Sequence, residues 1–398
     1  MMNKRRIVKN RLIDIKGVSV FFTTEIFKSI IPIFLIIIFL PFANGIFHFF
    51  SDQSDVLSEE NRIRLKKPEF NIKSVFPYFK KYENYYNDNF VLRDFMINRF
   101  NRIKFSLFKV SPVDSVLIGK DGWLFLKKES GVNLLKYYFA FDHKARSMLV
   151  RRKDRIEERR KWAKSLGCDY IYVIVPNKQT IYPEMMPSGA DRPPEESILD
   201  QIMESLERSG IDFIINLKKE FIGLKRRRLL YQKTDTHWNE LGAYFAYRRI
   251  LMFIKVQSGL SVRPEPINKF IVNRHINTKG DLSGMLSLEC KTFPNNMVRL
   301  KRKKEINIKS RITDVLSSNL KITVDENDKG ILPPVLMIHD SFGEYLKYFI
   351  RKHFKVSYYS TNRNLKLYRE LIKKEGIKYI IEVIAERYFI QKPPDSIE

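Results

Sequence analysis

The chain has 398 residues, 44 % of them hydrophobic, so one large α/β domain or two smaller ones can bury a core. Its formal charge is +27, but the bases recur as short separate runs (Arg151–Lys153, Lys225–Arg228, Lys301–Lys304, Arg351–Lys352) without an RNP, zinc-finger or helix-turn-helix signature. That pattern argues against nucleic acid and for a solvated basic surface, or one suited to anionic lipid or an acidic polymer.

Residues 1–25 read as a basic, cytoplasmic N-terminus, with six bases in the first 18 positions against Asp14. Residues 26–50 read as a transmembrane signal-anchor. Ser29 to Phe50 carries no Asp, Glu, Lys or Arg over 22 positions, enough helix to cross a hydrocarbon core of about 30 Å. Beyond it, residues 51–68 hold four acids and four bases, so the basic excess lies before the span. The positive-inside rule then puts everything downstream outside the cytoplasm. This predicts a single-pass protein of the cytoplasmic (inner) membrane with a periplasmic body. Ala43-Asn44-Gly45 is a weak cleavage site, but the apolar run continues through Phe50 and favours an uncleaved anchor.

Residues 51–112 read as a helical lead-in. Pro68 and Pro77 punctuate it, and Phe90, Leu92, Phe95, Met96, Phe100, Ile103 and Leu107 recur at helical spacing. From Val113 the pattern becomes α/β, and residues 113–398 form the expected catalytic domain. Strands are predicted at 170–176, 212–216, 335–339, 355–359 and 378–384, several of them almost continuously apolar, as strands buried on both faces are. Helices are predicted at 145–166, 197–209, 241–256, 345–353 and 365–375. The alternation predicts a mostly parallel sheet with helices on both faces. Lys120-Asp-Gly122 between apolar runs reads as a hairpin turn.

Two segments carry chemistry. In Val335-Leu-Met-Ile-His-Asp-Ser-Phe-Gly343 a buried strand runs into Asp-Ser and then a helix. That places Ser341 at the C-terminal edge of a parallel sheet, near a helix N-terminus able to hold an oxyanion. The alternative is that Asp340-Ser341 only caps the helix. In Asp235-Thr-His-Trp-Asn239, His237 is a base for a serine hydroxyl, and Asp235 can fix its tautomer. Structurally, Asp235 or Asn239 could instead be a cap and Trp238 a core aromatic. His339 shares a strand face with Ser341 and could be a substitute base or a pocket residue, but reads better as a hydrogen-bonded core histidine. Lys178, Tyr182 and Glu184 follow a strand end at the edge that carries Ser341. Lys178, Tyr182, Trp238, Asn239, Phe342 and Gly343 are therefore candidates for substrate or oxyanion contact. Cys168 and Cys290 form no CxxC pair and allow at most one disulfide. The six histidines show no HExxH or His/Cys cluster, so no metal and no cofactor are expected.

Gly119-Lys-Asp-Gly-Trp-Leu-Phe125, Pro176-Asn-Lys178, Tyr182-Pro-Glu184, Asp235-Thr-His-Trp-Asn239, Gly280-Asp-Leu282, Asp340-Ser-Phe-Gly343 and Glu386-Arg387, in that order, resemble the AlgJ/AlgX-type alginate O-acetyltransferase family over residues 75–390. The resemblance implies an SGNH-hydrolase-like three-layer α/β/α sandwich and a catalytic triad of Ser341, His237 and Asp235. It implies O-acetyl transfer through an acyl-enzyme to an exopolysaccharide or other cell-surface glycan. It also implies a membrane-bound O-acyltransferase partner that supplies acetyl. A carbohydrate O-acetylesterase with the same triad, or a non-catalytic membrane-tethered polysaccharide assembly protein, are the alternatives. No separate carbohydrate-binding module is identifiable in the chain.

Overall fold

The structure, a computed structural model, describes residues 11–15, 18–22, 24–47, 65–70, 75–89, 93–139, 143–193, 196–288, 292–315, 320–392 and 394–397. The chain divides into two units, Met1–Ile103 and Lys104–Glu398. In the first, β1 (Arg11–Ile15) pairs antiparallel with β2 (Val18–Phe22). Helices α1 (Thr24–Phe47) and α2 (Val75–Asn89) follow, and α3 (Arg93–Phe108) begins there. The 24-residue α1 covers most of the predicted span, and its described side chains Ile31, Phe34, Ile36 and Phe39 are exposed. Several of its other side chains, such as those of residues 41 and 42, lie outside the described residues. Among the described residues, no helix is long and apolar enough to cross a membrane. The expected basic segment 1–10, the residues 48–50 that complete the apolar run, and the polar residues 51–64 also lie outside the described residues.

The second unit opens with the predicted hairpin, β3 (Val116–Ile118) against β4 (Leu124–Leu126). Its turn puts Asp121 at φ 51° and Gly122 at φ 76°, the left-handed region that glycine enters without cost and aspartate tolerates. Among the elements that follow are α4 (His143–Ser165), β5 (Asp169–Val175), α5 (Ile198–Arg208), β6 (Ile214–Asn216), α6 (Glu240–Ser258), β7 (Phe270–Thr278), α7 (Asp281–Met285), β8 (Asn295–Arg302), β9 (Lys309–Asp314), β10 (Lys321–Glu326), β11 (Val335–His339), α8 (Gly343–Ile350), β12 (Val356–Ser360), α9 (Arg369–Glu375), β13 (Tyr379–Ala385) and α10 (Glu386–Gln391). Helix α5 starts on a capping box in which Ser197 and Asp200 satisfy each other's backbone N–H.

The central sheet has seven strands in the order β9-β10-β12-β11-β13-β5-β6. From β12 to β6 all neighbours are parallel, whereas at one edge β10 pairs antiparallel with both β12 and β9. The sheet is therefore mixed but mostly parallel, as expected, with the antiparallel pairings confined to that edge. Strand β9 escapes a hydrophobicity reading because nearly all of it is exposed. Charged residues suit such an edge, where they discourage further strand pairing. Side chains of β5 alternate between two cores. Ile171, Val173 and Val175 join α6 and α8 on one face. Tyr170, Tyr172 and Ile174 join α4, α5 and α9 on the other. This alternation makes three layers, and each fully buried aliphatic or aromatic side chain in them contributes about 1.5–3 kcal/mol.

Two features fix the edge where β11 and β13 end. A Cβ on Gly343 would lie 2.3 Å from the His339 side chain, so only glycine lets α8 start this close to β11. A second antiparallel ribbon, β7 with β8, lies outside the central sheet and was not predicted. Of the cysteines, Cys168 is buried with its thiol donating to the Ile377 carbonyl, and Cys290 lies outside the described residues.

Candidate active site

Strand β11 delivers Ser341 to the C-terminal edge of the sheet. Asp340 fixes the turn: its Oδ1 accepts from Phe342 N–H at 3.0 Å and its Oδ2 from Ala385 N–H, at the end of neighbouring β13, at 2.7 Å. His339 is buried below, with Nδ1 donating to the Asp340 carbonyl at 2.7 Å, and burial pushes its pKa down. It is the core histidine expected. Ser341 itself is exposed.

The loop before α6 brings the partner groups. A bridge between Tyr231 and Trp238 closes this loop, and the buried Trp238 indole N–H donates to the Phe342 carbonyl at 3.1 Å, tying it to the serine turn. His237 Nε2 then lies 2.7 Å from Ser341 Oγ, and Nδ1 lies 2.6 Å from Asp235 Oδ1. With the carboxylate on Nδ1, the ring carries its proton there and Nε2 accepts from the serine. The Asp235 oxygen also receives His237's own N–H at 2.9 Å. Asp281 stands behind, its backbone N–H donating to Asp235 Oδ2 at 3.0 Å. Its carboxylate accepts from Thr236 N–H at 2.7 Å and from the Thr236 hydroxyl. Gly280 permits this approach, since a Cβ there would sit 2.2 Å from the Thr234 carbonyl oxygen.

The electrostatics follow the geometry. Burial disfavours the His237 imidazolium, but the hydrogen bond and charge of Asp235, helped by Asp281, outweigh it and raise the His237 pKa. Burial also disfavours the Asp235 anion, and His237 more than offsets that, so its pKa falls. Asp281 is raised, by burial and by the neighbouring Asp235 charge. A hydroxyl, imidazole and carboxylate at these distances can draw the proton off the serine as it attacks a carbonyl carbon. Asp235, His237 and Asp281 also offer three possible metal-ligand atoms within 4.8 Å. A cation there would displace the 2.6 Å hydrogen bond from His237 to Asp235, so these donors suit a proton relay better.

The remaining predicted contacts are placed differently. Lys178 is buried, with its ammonium donating to the carbonyls of Gln232, Lys233 and Asp235 at 3.1, 3.0 and 2.6 Å. It pins the loop that carries Asp235. Burial pushes its pKa down to about 7 against the pull of Asp281 and Asp235. The Lys178→Met variant takes this donor from three carbonyls, of which that of Lys233 keeps the Leu124 N–H at 2.9 Å. Each buried acceptor left unpaired costs about 1–3 kcal/mol, so the melting temperature is expected to fall by several degrees. An unchanged melting curve contradicts that role.

The Tyr182 hydroxyl accepts from Leu230 N–H at 3.0 Å, and Asn239 caps α6 through Leu241 and Gly242 N–H. Both side chains are buried, as is Trp238, so these residues support the loop and do not face the cleft. Glu184 pairs with Lys225 at 2.8 Å. The N–H groups of Phe342 and Gly343 are already bound, to Asp340 Oδ1 and to the Asp340 carbonyl. Neither is free for an oxyanion. Ser341 and His237 open instead onto a cleft of about 450 Å³ whose lining includes Lys128, Ser130, Asp281, Arg387 and Tyr388. The Arg387 guanidinium is held by Glu129 at 2.7 Å and lies 5.5 Å from the Phe342 ring centre. The Gly280-Asp-Leu282 motif signalled Asp281, but its part depends on a fold that brings residues 235 and 281 together.

Against this geometry, the profile of a family described as the SGNH hydrolase-like domain of the acetyltransferase AlgX matches residues 116–322, a little over half of the chain. That stretch holds Asp235, His237 and Asp281 and ends before Ser341. The protein "Probable alginate O-acetylase AlgJ" of Pseudomonas syringae pv. tomato is 27% identical over 213 residues, 53% of this chain and 51% of that protein. Its namesake in Pseudomonas aeruginosa is 27% identical over 221 residues, 52% of this chain and 50% of that protein. The chain thus spans about half the length of the curated relatives it matches. The structure of Bacillus cereus PatB1 superposes with a TM-score of 0.52 at 15% identity, covering 71% of this chain and 98% of that one, a likeness of fold.

Proposed function

The chain belongs to the SGNH hydrolase-like family of the acetyltransferase AlgX, and from that premise we propose that it transfers acetyl groups to hydroxyls of an extracytoplasmic polysaccharide through Ser341, His237 and Asp235. The observation that carries this reading is the continuous contact from Ser341 Oγ to His237 to Asp235, at 2.7 and 2.6 Å, opening onto a cleft.

In the first half-reaction His237 Nε2 takes the Ser341 proton as Oγ attacks the acetyl carbonyl. The C–O bond to the donor breaks, and His237 returns the proton to the leaving oxygen. In the second half-reaction a sugar hydroxyl gives its proton to His237 and attacks the acetyl-serine; the bond from acetyl to Oγ breaks, and His237 returns the proton to Oγ to restore Ser341. Asp235 holds the ring and stabilises the imidazolium, and Asp281 positions Asp235. The Ser341 N–H, in the turn before α8, supplies an oxyanion donor. The 22 uncharged positions from Ser29 to Phe50 and the basic residues before them in the sequence support an uncleaved membrane anchor and an extracytoplasmic body. A membrane-bound O-acyltransferase partner, implied by the family resemblance, would supply the acetyl donor.

The test offers an activated acetyl ester together with an oligosaccharide and follows both acetylated sugar and free acetate across pH. Acetylated sugar is expected, whereas acetate alone would make the protein an esterase. Only neutral His237 can accept the proton. Its raised pKa therefore puts the acidic limb of kcat/KM above the ordinary imidazole value of about 6.5, with activity lost as pH falls through it. A limb below that value contradicts the Asp235–His237 pairing.

A further inference from the structure

The basic residues that the reaction leaves unused are not evenly spread. A cleft of about 730 Å³ lies at the far edge of the sheet from Ser341. Its walls include Asn327–Lys329, in the connection from β10 to β11, and Lys352, in the turn before β12. Both precede parallel strands whose opposite ends carry the active site. The walls are fixed. Asn327 Nδ2 donates to the carbonyls of Arg351 and Lys352 at 3.2 and 2.7 Å. Buried Arg302 holds Glu265 at 2.9 Å and donates to the Tyr348 carbonyl at 3.1 Å. Lys269, Lys303, Lys304 and Lys329 line this cleft and are exposed. Among the described residues none of their ammonium groups has a carboxylate partner within ion-pair distance.

The β7–β8 ribbon joins this cleft to the active site. At one end Phe270 pairs with Arg302, beside Lys269 and Lys303. At the other end Thr278 pairs with Asn295 and the chain runs through Lys279 into Asp281, behind Asp235. Alternation along β8 buries Val298, Leu300 and Arg302 and exposes Arg299 and Lys301. Opposite them on β7 stand Asn273 and Ile271, and His275, paired with Met297, is exposed further along the same face. Nine residues of strand span roughly 30 Å. Basic groups therefore line the cleft half of this outward face, and Lys279 is exposed at the ribbon's catalytic end.

We propose that the cleft and the outward face of this ribbon bind a strand of acidic polysaccharide and lead it to Ser341. The proposal rests on the transferase reading for its destination and on the ribbon for its path. A polymer fits better than a lipid surface, because the track begins in a concave cleft and ends at a site that must receive a single hydroxyl. A chain engaging both ends gains from high effective concentration, while a short fragment engages only one.

The experiment titrates the full chain with a long oligouronate and with its disaccharide, at low and moderate salt. In the double variant Lys301→Glu/Lys303→Glu, binding of the long oligouronate is expected to weaken on the order of tenfold, with a shallower salt dependence. Lys366→Glu/Lys373→Glu, exposed lysines outside the track, carries the same charge change and is expected to bind as the unaltered protein does. Lys301→Gln/Lys303→Gln repeats the test without charge reversal. Equal weakening by both pairs would reduce the effect to net charge and overturn the track. So would equally tight binding of the disaccharide, or loss of binding to vesicles of anionic lipid that matches the loss for the glycan. Binding is read without turnover, so failure of Ser341 as nucleophile leaves this result intact and the two readings fail separately.

Discussion

Replacing Ser341 by alanine is expected to lower acetyl transfer by about 10⁴-fold or more while leaving the melting curve close to that of the unaltered chain. The substitution removes one exposed oxygen. The turn around it is held by other groups: Asp340 on Phe342 and Ala385, and Trp238 on the Phe342 carbonyl. None of these contacts involves the Ser341 hydroxyl, so fold and chemistry separate cleanly in this variant. The outcome also decides against a tethered assembly protein that merely retains the fold, because such a protein would keep its full effect on acetylation without the hydroxyl.

Asp235→Asn has an expected effect of similar size, about 10³–10⁴-fold on kcat, for a different reason. The carboxylate binds the proton of His237 Nδ1 at 2.6 Å and so leaves Nε2 free to accept from Ser341. An amide nitrogen turned toward Nδ1 favours the other tautomer, in which Nε2 carries the proton and cannot act as base. The charge is lost as well. Asp235 is what lifts the His237 pKa against the effect of burial, so residual activity is expected to show its acidic limb at lower pH than the unaltered protein. A variant with the same limb and a rate within tenfold would show that Asp235 neither orients nor charges the ring.

Much of the fold was legible in the sequence because both faces of the central strands are buried. Val335–His339 is predicted and observed with the same ends, and β5, β12 and β13 are displaced by one residue. The antiparallel pieces were not legible. Strand β9 is a charged, exposed edge with no apolar rhythm, and in β8 the buried positions alternate with Arg299 and Lys301, which reads as another basic run.

The same division holds at the site. Asp-x-His and strand-Asp-Ser are local patterns with a chemical meaning, and the structure brings Asp235, His237 and Ser341 into contact. Residue type does not say which way a side chain points. Lys178, Tyr182, Trp238 and Asn239 looked like pocket residues because they are polar or aromatic beside a catalytic motif. They are buried because a loop that must hold an imidazole within 2.7 Å of a serine needs its own backbone groups satisfied. Asp281 shows the converse. Its carboxylate and N–H act on residues about 45 positions earlier, a relation that no local pattern expresses.

The most direct measurement of the central claim is the position of acetyl on the protein. The chain is mixed with an activated acetyl ester, quenched in acid, digested and weighed by mass spectrometry, and a second portion is chased with oligosaccharide before quenching. A single acetyl on the peptide holding Ser341, absent from Ser341→Ala and discharged to sugar in the chase, is the predicted result. An unlabelled Ser341 in a protein that still acetylates sugar would contradict it, as would a label that no acceptor removes.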